Sequence, residues 1–300
     1  MLSAFTSTWK KQNHRLLSVR NQALLSLRKT KEERPVLLLR HRFKTMDSNS
    51  EQEATMPQDS TDVAFKDSTD AELSKIRLMR ALVESRDPTS KEVDDLMIRR
   101  FLRARNLDVE KASAMFLKYL KWKRSFVPNG YISPSEIAQD IAQDKVYAQG
   151  VDKKGRPITV AFAAKHFQCK NGSDGFKRYV VFALEKLCSR MPPGQEKFLA
   201  IADIKGWGYA NSDFRGYINA LTILQDCYPE RLGKMFIVHA PNMFMKIWKM
   251  IYPFIDDNTK KKIVFVENKK LKSTLLEEID ESQLPDIYGG QMPLVPIQDS

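Results

Sequence analysis

From Lys145 onward, short apolar runs alternate with helical patterns, and this alternation limits the fold more than any other feature of the chain. The runs are KVYAQGVD, RPITVAFAA, KFLAIADI, KMFIVHA and KIVFVE. Between them lie GFKRYVVFALEKLCSRM, SDFRGYINALTILQDCY, the segment Met243 to Tyr252 and KSTLLEEI. Strands that are apolar almost without interruption need cover on both faces, and strand–helix–strand crossovers supply it. The expectation is an α/β fold with a mostly parallel sheet flanked by helices.

A helical bundle is expected ahead of that sheet, over residues 71–130. AELSKIRLMRALVESR places Leu73, Ile76, Met79 or Arg80, and Val83 on one side. Asp87-Pro88 breaks it. In KEVDDLMIRRFLRAR, Val93, Met97 and Phe101 recur at intervals of four. Asp108 then has the position of an N-cap, with Glu110 in the first turn, and the helix runs until Pro128-Asn129-Gly130.

The segment Met243 to Tyr252 is unusual for a helix on a soluble chain. At 100° per residue from Met243, Lys246 and Lys249 fall near about 300° and about 240°. The remaining arc of roughly 220° carries no charge and holds Phe244, Ile247, Trp248, Met250 and Ile251. An ordinary surface helix hides a stripe of about 100° or somewhat more. The excess can face core, partner, membrane or ligand.

Charge narrows the partners. The chain has 300 residues and a formal net charge of +12. Residues 1–45 carry 11 Lys and Arg against 2 Glu, so the remainder is nearly balanced at 38 against 35. Nucleic-acid binding by the body is not supported. Residues 1–31 hold no acid and are rich in Ser, Thr, Arg and Lys, the composition of an organelle transit peptide. The alternative is a leader ahead of a second start at Met46. Residues 46–70 are acidic and Ser/Thr-rich, the pattern of a disordered linker, so 1–70 reads as leader plus linker. Cys169, Cys188 and Cys227 are too widely spaced for a metal knuckle, and any disulfide would leave one over, which fits a reducing compartment with buried or free thiols. No apolar run reaches about 18 residues, so membrane contact is expected to be peripheral.

Enzyme signatures are missing. The chain contains no G-x-G-x-x-G after a strand, no G-x-x-x-x-G-K-[ST], no H-E-x-x-H and no G-x-S-x-G. His239 ends an apolar strand and reads as a satisfied core histidine. Asp203 ends KFLAIAD and reads as a turn cap, and Cys227 as a buried thiol. The expectation is no catalytic residue, no metal and no cofactor.

Several motifs remain, in this order: R-F-L-R-A-R-N-L-D-V (Arg100 to Val109), D-K-K-G-R-P (Asp152 to Pro157), D-I-K-G (Asp203 to Gly206), Y-P-E-R-L-G-K (Tyr228 to Lys234), P-F-I-D from Pro253 and Y-G-G (Tyr288 to Gly290). The ordered set resembles the CRAL-TRIO domain of Sec-fourteen-like lipid-transfer proteins, with its helical lead-in, over roughly residues 72–294. The resemblance implies a lead-in over 71–130, a lipid-binding domain over 131–294 and a tail over 295–300. It also implies a lipid cavity lined by the sheet and closed by a mobile apolar gate helix. Met243, Phe244, Ile247, Trp248, Met250, Ile251 and Phe254 fall where that gate and its acyl-chain contacts belong. The physics agrees, because a 16-carbon chain left in water costs on the order of 12 kcal/mol, at about 0.8 kcal/mol per methylene. A carrier must enclose its chains in transit and open only at a bilayer.

Carried over residue by residue, the family's phosphatidylinositol positions are Arg105, Glu230, Thr259 and Lys262. Lys262 and Thr259 suit the phosphate, Glu230 suits inositol hydroxyls or Lys262, and Arg105 completes the charge network. Asn106 departs from relatives that carry Lys there. The hydroxyl positions for phosphatidylcholine are not matched, since the strand reads Phe198-Leu199-Ala200-Ile201 and Thr159 stands where an aromatic hydroxyl is usual. The implied protein is a non-enzymatic, monomeric carrier of phosphatidylinositol with bound phospholipid as its ligand. It would lie in the cytoplasm, touch the membrane surface peripherally and present lipid to a kinase. Alternatives are a tocopherol- or retinoid-like ligand, and a plastid or mitochondrial location if residues 1–45 act as a transit peptide.

Overall fold

A computed structural model of the chain describes residues 68–169 and 172–300. The leader and most of the linker expected over residues 1–70 fall outside the described residues.

Each lead-in helix starts where a short polar side chain can hold a free backbone N–H. Helix α1 (Asp70–Arg86) is capped by Thr69, α2 (Asp95–Arg103) by Asp94 and α3 (Val109–Phe126) by Asp108. Asp87 closes α1, and Pro88, with no N–H to give, begins a separate turn. The inward stripe of Ile76, Met79, Val83, Phe101, Leu102 and Phe116 is fully buried. Phe101 meets Phe116 edge-on at 5.0 Å. Met79 rather than Arg80 faces this core, because Arg80 is drawn to Asp95 and to the Val93 carbonyl.

After a short helix α4 (Ala138–Ile141) come strands β1 (Val146–Val151) and β2 (Pro157–Phe162), then helix α5 (Gly172–Ser189) and β3 (Phe198–Asp203). Helix α6 (Phe214–Cys227), β4 (Leu232–Val238), α7 (Phe244–Ile251), α8 (Asp257–Lys260), β5 (Ile263–Phe265), α9 (Leu271–Glu278) and β6 (Val295–Pro296) complete the order. The sheet runs β5-β4-β3-β2-β1-β6. The β2–β3, β3–β4 and β4–β5 pairs are parallel, and β1 pairs antiparallel with both β2 and β6.

Residues 295–300, expected as a tail, are built into the fold instead. Val295 and Pro296 pair with Ala148 and Tyr147, Ile297 is fully buried, and the Lys186 ammonium donates to the Ser300 carbonyl at 3.0 Å. Two residues are too few to show strand periodicity, so this edge leaves no sequence pattern.

Several motifs turn out to shape the backbone. In D-K-K-G-R-P, Asp152 accepts the Lys154 and Arg156 N–H groups at 2.9 Å and the Arg156 Nε at 2.5 Å, with Gly155 at φ +69°. Asp203 accepts from the Lys205 N–H at 2.8 Å and from the Tyr288 hydroxyl at 2.9 Å, and lies 3.0 Å from His239 Nδ1. Asp203 is therefore held as a turn cap among three partners.

Period-two alternation divides the sheet residues. Leu199, Ile201, Phe236 and Val238 join Leu275, Ile279 and Leu284 in a core beneath α9. Burying each large side chain there contributes about 1.5–3 kcal/mol. On the opposite face, Phe198 and Ala200 share a core with the lead-in helices and α5, while Ala202 and Ile237 meet α7. That face carries Ala200 beside Met235 and Ala202 beside Ile237. Two small side chains in the central strand leave room above it.

Candidate ligand-binding cavity

A cavity of about 600 Å³ opens on that face, within the usual range of roughly 300–1,000 Å³ for ligand sites. Its walls are Phe198 of β3, Leu232 and Met235 of β4, Ile263 of β5, Leu221 and Leu224 of α6, and Trp248, Ile251 and Ile255 from the α7 region. Met235 and Ile263 are register partners in adjacent strands. Leu221, Leu224 and Gln225 follow helical spacing on α6.

Arg105, Glu230, Thr259 and Lys262 all line this cavity. They come from the turn after α2, the approach to β4, the end of α8 and the residue before β5. Lys262 Nζ donates to Glu230 Oε2 at 3.1 Å, with both side chains about 20% exposed. The Thr259 N–H is held by Asp256 Oδ1 at 2.9 Å, and its carbonyl accepts the Lys262 N–H at 3.0 Å. Thr259 Oγ1 makes no hydrogen bond among the described residues.

Glu230 reaches the cavity through an unusual backbone. It lies at φ +57°, a left-handed conformation that costs a non-glycine residue about 1–2 kcal/mol. Its neighbours impose it. The Tyr228 hydroxyl donates to Glu185 Oε1 at 2.5 Å, and Arg231 donates to the Glu196 carbonyl at 3.1 Å while its own carbonyl accepts the Phe198 N–H at 2.9 Å. Asn106 and Leu107 are also left-handed, at φ +53° and +60°. Asn tolerates that region better than Lys does, so the departure at Asn106 suits the turn that sets Arg105 in place.

The arginine run splits by role. Arg99 and Arg100 are buried against Glu196, and Arg103 binds Glu72 at 2.6 and 2.9 Å. Arg105 donates to the Ala104 carbonyl at 2.9 Å and otherwise faces the cavity.

The α7 residues divide between faces. Trp248 and Ile251 line the cavity, with Ile255 just beyond the helix. Phe244 is buried edge-on to Trp207 at 5.5 Å, and Met243 and Ile247 pack beside Ile204 and Ile237. Phe254 contacts Phe214 at 6.3 Å, and Met250 is half-buried. In this conformation Met243, Phe244, Ile247, Met250 and Phe254 are not among the cavity-lining residues; Met243, Phe244 and Ile247 pack instead in the cluster with Trp207 and Ile237, and Phe254 against Phe214. Met245, Tyr252 and Phe265 are exposed, and Trp248 packs edge-on to Phe265 at 5.1 Å. Gln225 ties down the segment after α7, donating to the Phe254 carbonyl at 3.2 Å and accepting the Asp256 N–H at 2.8 Å.

Sequence reading missed the apolar walls at Phe198, Leu221, Leu224, Met235, Ile255 and Ile263. Strand alternation in β3 and β4 and the three-residue spacing in α6 carry the signal for most of them. Elsewhere, burial pushes the Cys227 thiol up to about 12, leaving it unreactive at neutral pH. No described helix is long and apolar enough to cross a membrane.

The CRAL/TRIO domain model matches residues 142–290. The chain is 33% identical over 218 residues to the Sec14 cytosolic factor of Schizosaccharomyces pombe, covering 67% of this chain and 76% of that protein. It is 32% identical over 220 residues to the phosphatidylinositol/phosphatidylcholine transfer protein SFH12 of Arabidopsis thaliana, covering 67% of this chain. The chain spans only about two-fifths of that longer relative, at 40%. The crystal structure of Sfh5 superposes with a TM-score of 0.54 at 20% identity, covering 69% of this chain and 84% of that one, and shares the fold. From its ordered motifs, its sheet topology and these matches, the chain belongs to the CRAL/TRIO family, among its Sec14-like members.

Proposed function

We propose that the protein binds phosphatidylinositol and moves it between membranes without catalysing a reaction. The observation that carries this reading is that Arg105, Glu230, Thr259 and Lys262, from four separate segments, all line one cavity, whose other walls include Phe198, Leu221, Leu224, Met235, Trp248, Ile251 and Ile263. A phosphodiester taken out of water needs cations and donors around it, and these residues supply both. The apolar walls suit acyl chains, which gain about 0.8 kcal/mol per methylene by leaving water. SFH12, by its name, transfers both phosphatidylinositol and phosphatidylcholine. Here the strand that would face a choline headgroup is Phe198-Leu199-Ala200, with no hydroxyl, so phosphatidylinositol is the favoured ligand.

Helix α7 is the gate in this reading. Exposed Met245, Tyr252 and Phe265 and the exposed Lys246 and Lys249 supply apolar and basic groups suited to an anionic bilayer. The protein would act as a monomer in the cytoplasm, meet the membrane peripherally and offer its lipid to a kinase. Native mass spectrometry of purified full-length protein tests the reading. Co-purifying phosphatidylinositol is the expected result, and a neutral isoprenoid in its place would transfer the assignment to a tocopherol- or retinoid-type carrier.

A further inference from the structure

Among the exposed large apolar side chains of the described residues, Tyr209 projects furthest, at 78% exposed. One such side chain needs no explanation by itself. Its turn, however, is rigidly built. The Asn211 N–H donates to the Gly208 carbonyl and the Ser212 N–H to the Tyr209 carbonyl, both at 3.1 Å, and Asn211 Oδ1 accepts the Gly208 N–H at 3.0 Å. Buried Asn211 also donates through Nδ2 to the Ala164 carbonyl at 2.7 Å and the His166 carbonyl at 3.1 Å. That bond ties the turn to the loop after β2, which carries exposed Phe167.

The same turn is joined to α7. Trp207, two residues before Tyr209, is buried and meets Phe244 of the first turn of α7 edge-on at 5.5 Å. The strand register explains the meeting. Phe162, Asp203 and Val238 are partners at the ends of the parallel strands β2, β3 and β4, so the segments that follow all leave one edge of the sheet.

This rim is basic. Lys205 and Arg215 are exposed, as are Lys246 and Lys249 of α7, and none of the four makes an ion pair among the described residues. Most nearby acids are engaged. Asp213 is buried and held by Gln168 and the Gly216 N–H, both at 2.8 Å. Asp144 is paired with Lys165 at 2.9 Å, Asp174 with Lys177 at 2.8 Å and Glu267 with Lys270 at 3.8 Å. Asp256, the N-cap of α8, and Asp286, exposed beside Tyr288, make no ion pair among the described residues. Four cations against these two acids leave a positive excess.

We propose that the Gly208–Asn211 turn is a second membrane-docking point beside α7. Tyr209 and Phe167 enter the interfacial layer of an anionic bilayer, and Lys205 and Arg215 meet its headgroups. A tyrosine has an apolar ring for that layer and a hydroxyl for its wet side. Cations with no fixed protein partner suit a fluid layer of anionic lipid, which attracts each of them. The proposal rests on the reading of α7 as the face that meets the membrane.

The test measures co-sedimentation of the full chain with phosphatidylcholine vesicles, with and without phosphatidylserine. Wild type should bind the phosphatidylserine vesicles more strongly. Tyr209→Ala should lower that binding about tenfold and Tyr209→Trp should keep it. Lys205→Glu should lower it about fivefold or more, on the anionic vesicles only. Binding of a fluorescent fatty acid, which needs only the cavity, should stay at the wild-type level in all three and shows that each is folded. Wild-type affinity in Tyr209→Ala, with binding lost in Met245→Glu on α7, overturns the role of the turn and leaves the reading of α7 standing. Wild type that binds neither vesicle overturns both. A wild-type dimer in solution that Tyr209→Ala dissolves, without vesicle binding, would make a second copy of the chain the occupant and overturn the bilayer.

Discussion

Lys262 Nζ and Glu230 Oε2 stand 3.1 Å apart inside the cavity, although 32 residues separate them in the chain. The pair exists because Glu230 is held left-handed between Pro229 and Arg231. Left-handed strain at a ligand-lining residue is the kind of feature a fold keeps for a site. Two replacements separate the backbone from the charge. Glu230→Asn and Glu230→Val both remove the ion pair, but only valine is β-branched at positive φ. Chemical denaturation should find the valine variant less stable than the asparagine variant by about 1–2 kcal/mol. Equal stabilities would mean the loop relaxes and the left-handed turn is not imposed.

The lead-in and the sheet are clamped by one carboxylate. Glu196, about 11% exposed, holds Arg99 and Arg100 together, the latter at 2.6 Å. Removing one partner of a buried pair leaves uncompensated charge, at a cost of about 3–5 kcal/mol. Glu196→Gln should lower the melting temperature sharply, and the second guanidinium gives it no way to escape the cost. A variant that melts within a degree of wild type would show that water reaches these arginines.

Acid should destabilise the protein through His166. Its Nε2 lies 3.2 Å from Asp213 Oδ2 and its Nδ1 3.3 Å from Lys145 Nζ, which also binds Asp140 at 2.6 Å. Burial, then the Lys145 charge, holds the imidazole below its ordinary value, with Asp213 opposing. Unfolded histidine takes up a proton below about 6.5. There the unfolded state binds more protons than the folded one, so stability rises with pH. It is complete above about 6.5 and lost as the pH falls toward the folded value. Melting curves should shift downward between pH 7.5 and 5.5, and His166→Gln should flatten the shift. An equally steep shift in that variant would place the sensitivity elsewhere.

Trp248 tests the proposed gate apart from the proposed headgroup end. It lines the cavity and packs on Phe265. Trp248→Asp puts a charge where, in the proposed reading, an acyl chain or the bilayer would lie, at several kcal/mol by order of magnitude. Extraction of every lipid should fall together, with the fold intact by circular dichroism. Loss confined to inositol lipids would show that Trp248 serves the headgroup instead.

The strands could be read in the sequence because parallel burial leaves continuous apolar runs such as Phe198 to Ala202. The antiparallel β1–β2 turn was signalled by Gly155, yet its antiparallel sense required knowing that only a short turn separates the strands. The sorting of arginines was illegible. Arg99, Arg100 and Arg103 find partners 97, 96 and 31 residues away, while Arg105 does not. Local spacing cannot tell a clamped guanidinium from one facing a cavity. The α7 helix was legible as over-apolar, but which of its residues meet protein rather than cavity depended on Trp207.

The most direct measurement is phosphatidylinositol transfer between vesicles by wild type and Lys262→Ala, run beside binding of a fluorescent fatty acid that needs only the apolar walls. Lys262 is the cation that faces Glu230 and Thr259 at the polar end. Losing one charge-assisted bond to a buried phosphate costs about 2–3 kcal/mol, a fall of roughly 30- to 150-fold. The expected result is collapse of phosphatidylinositol transfer with fatty-acid binding retained. Wild-type transfer rates in Lys262→Ala would contradict the account and make a neutral hydrophobic ligand the better assignment.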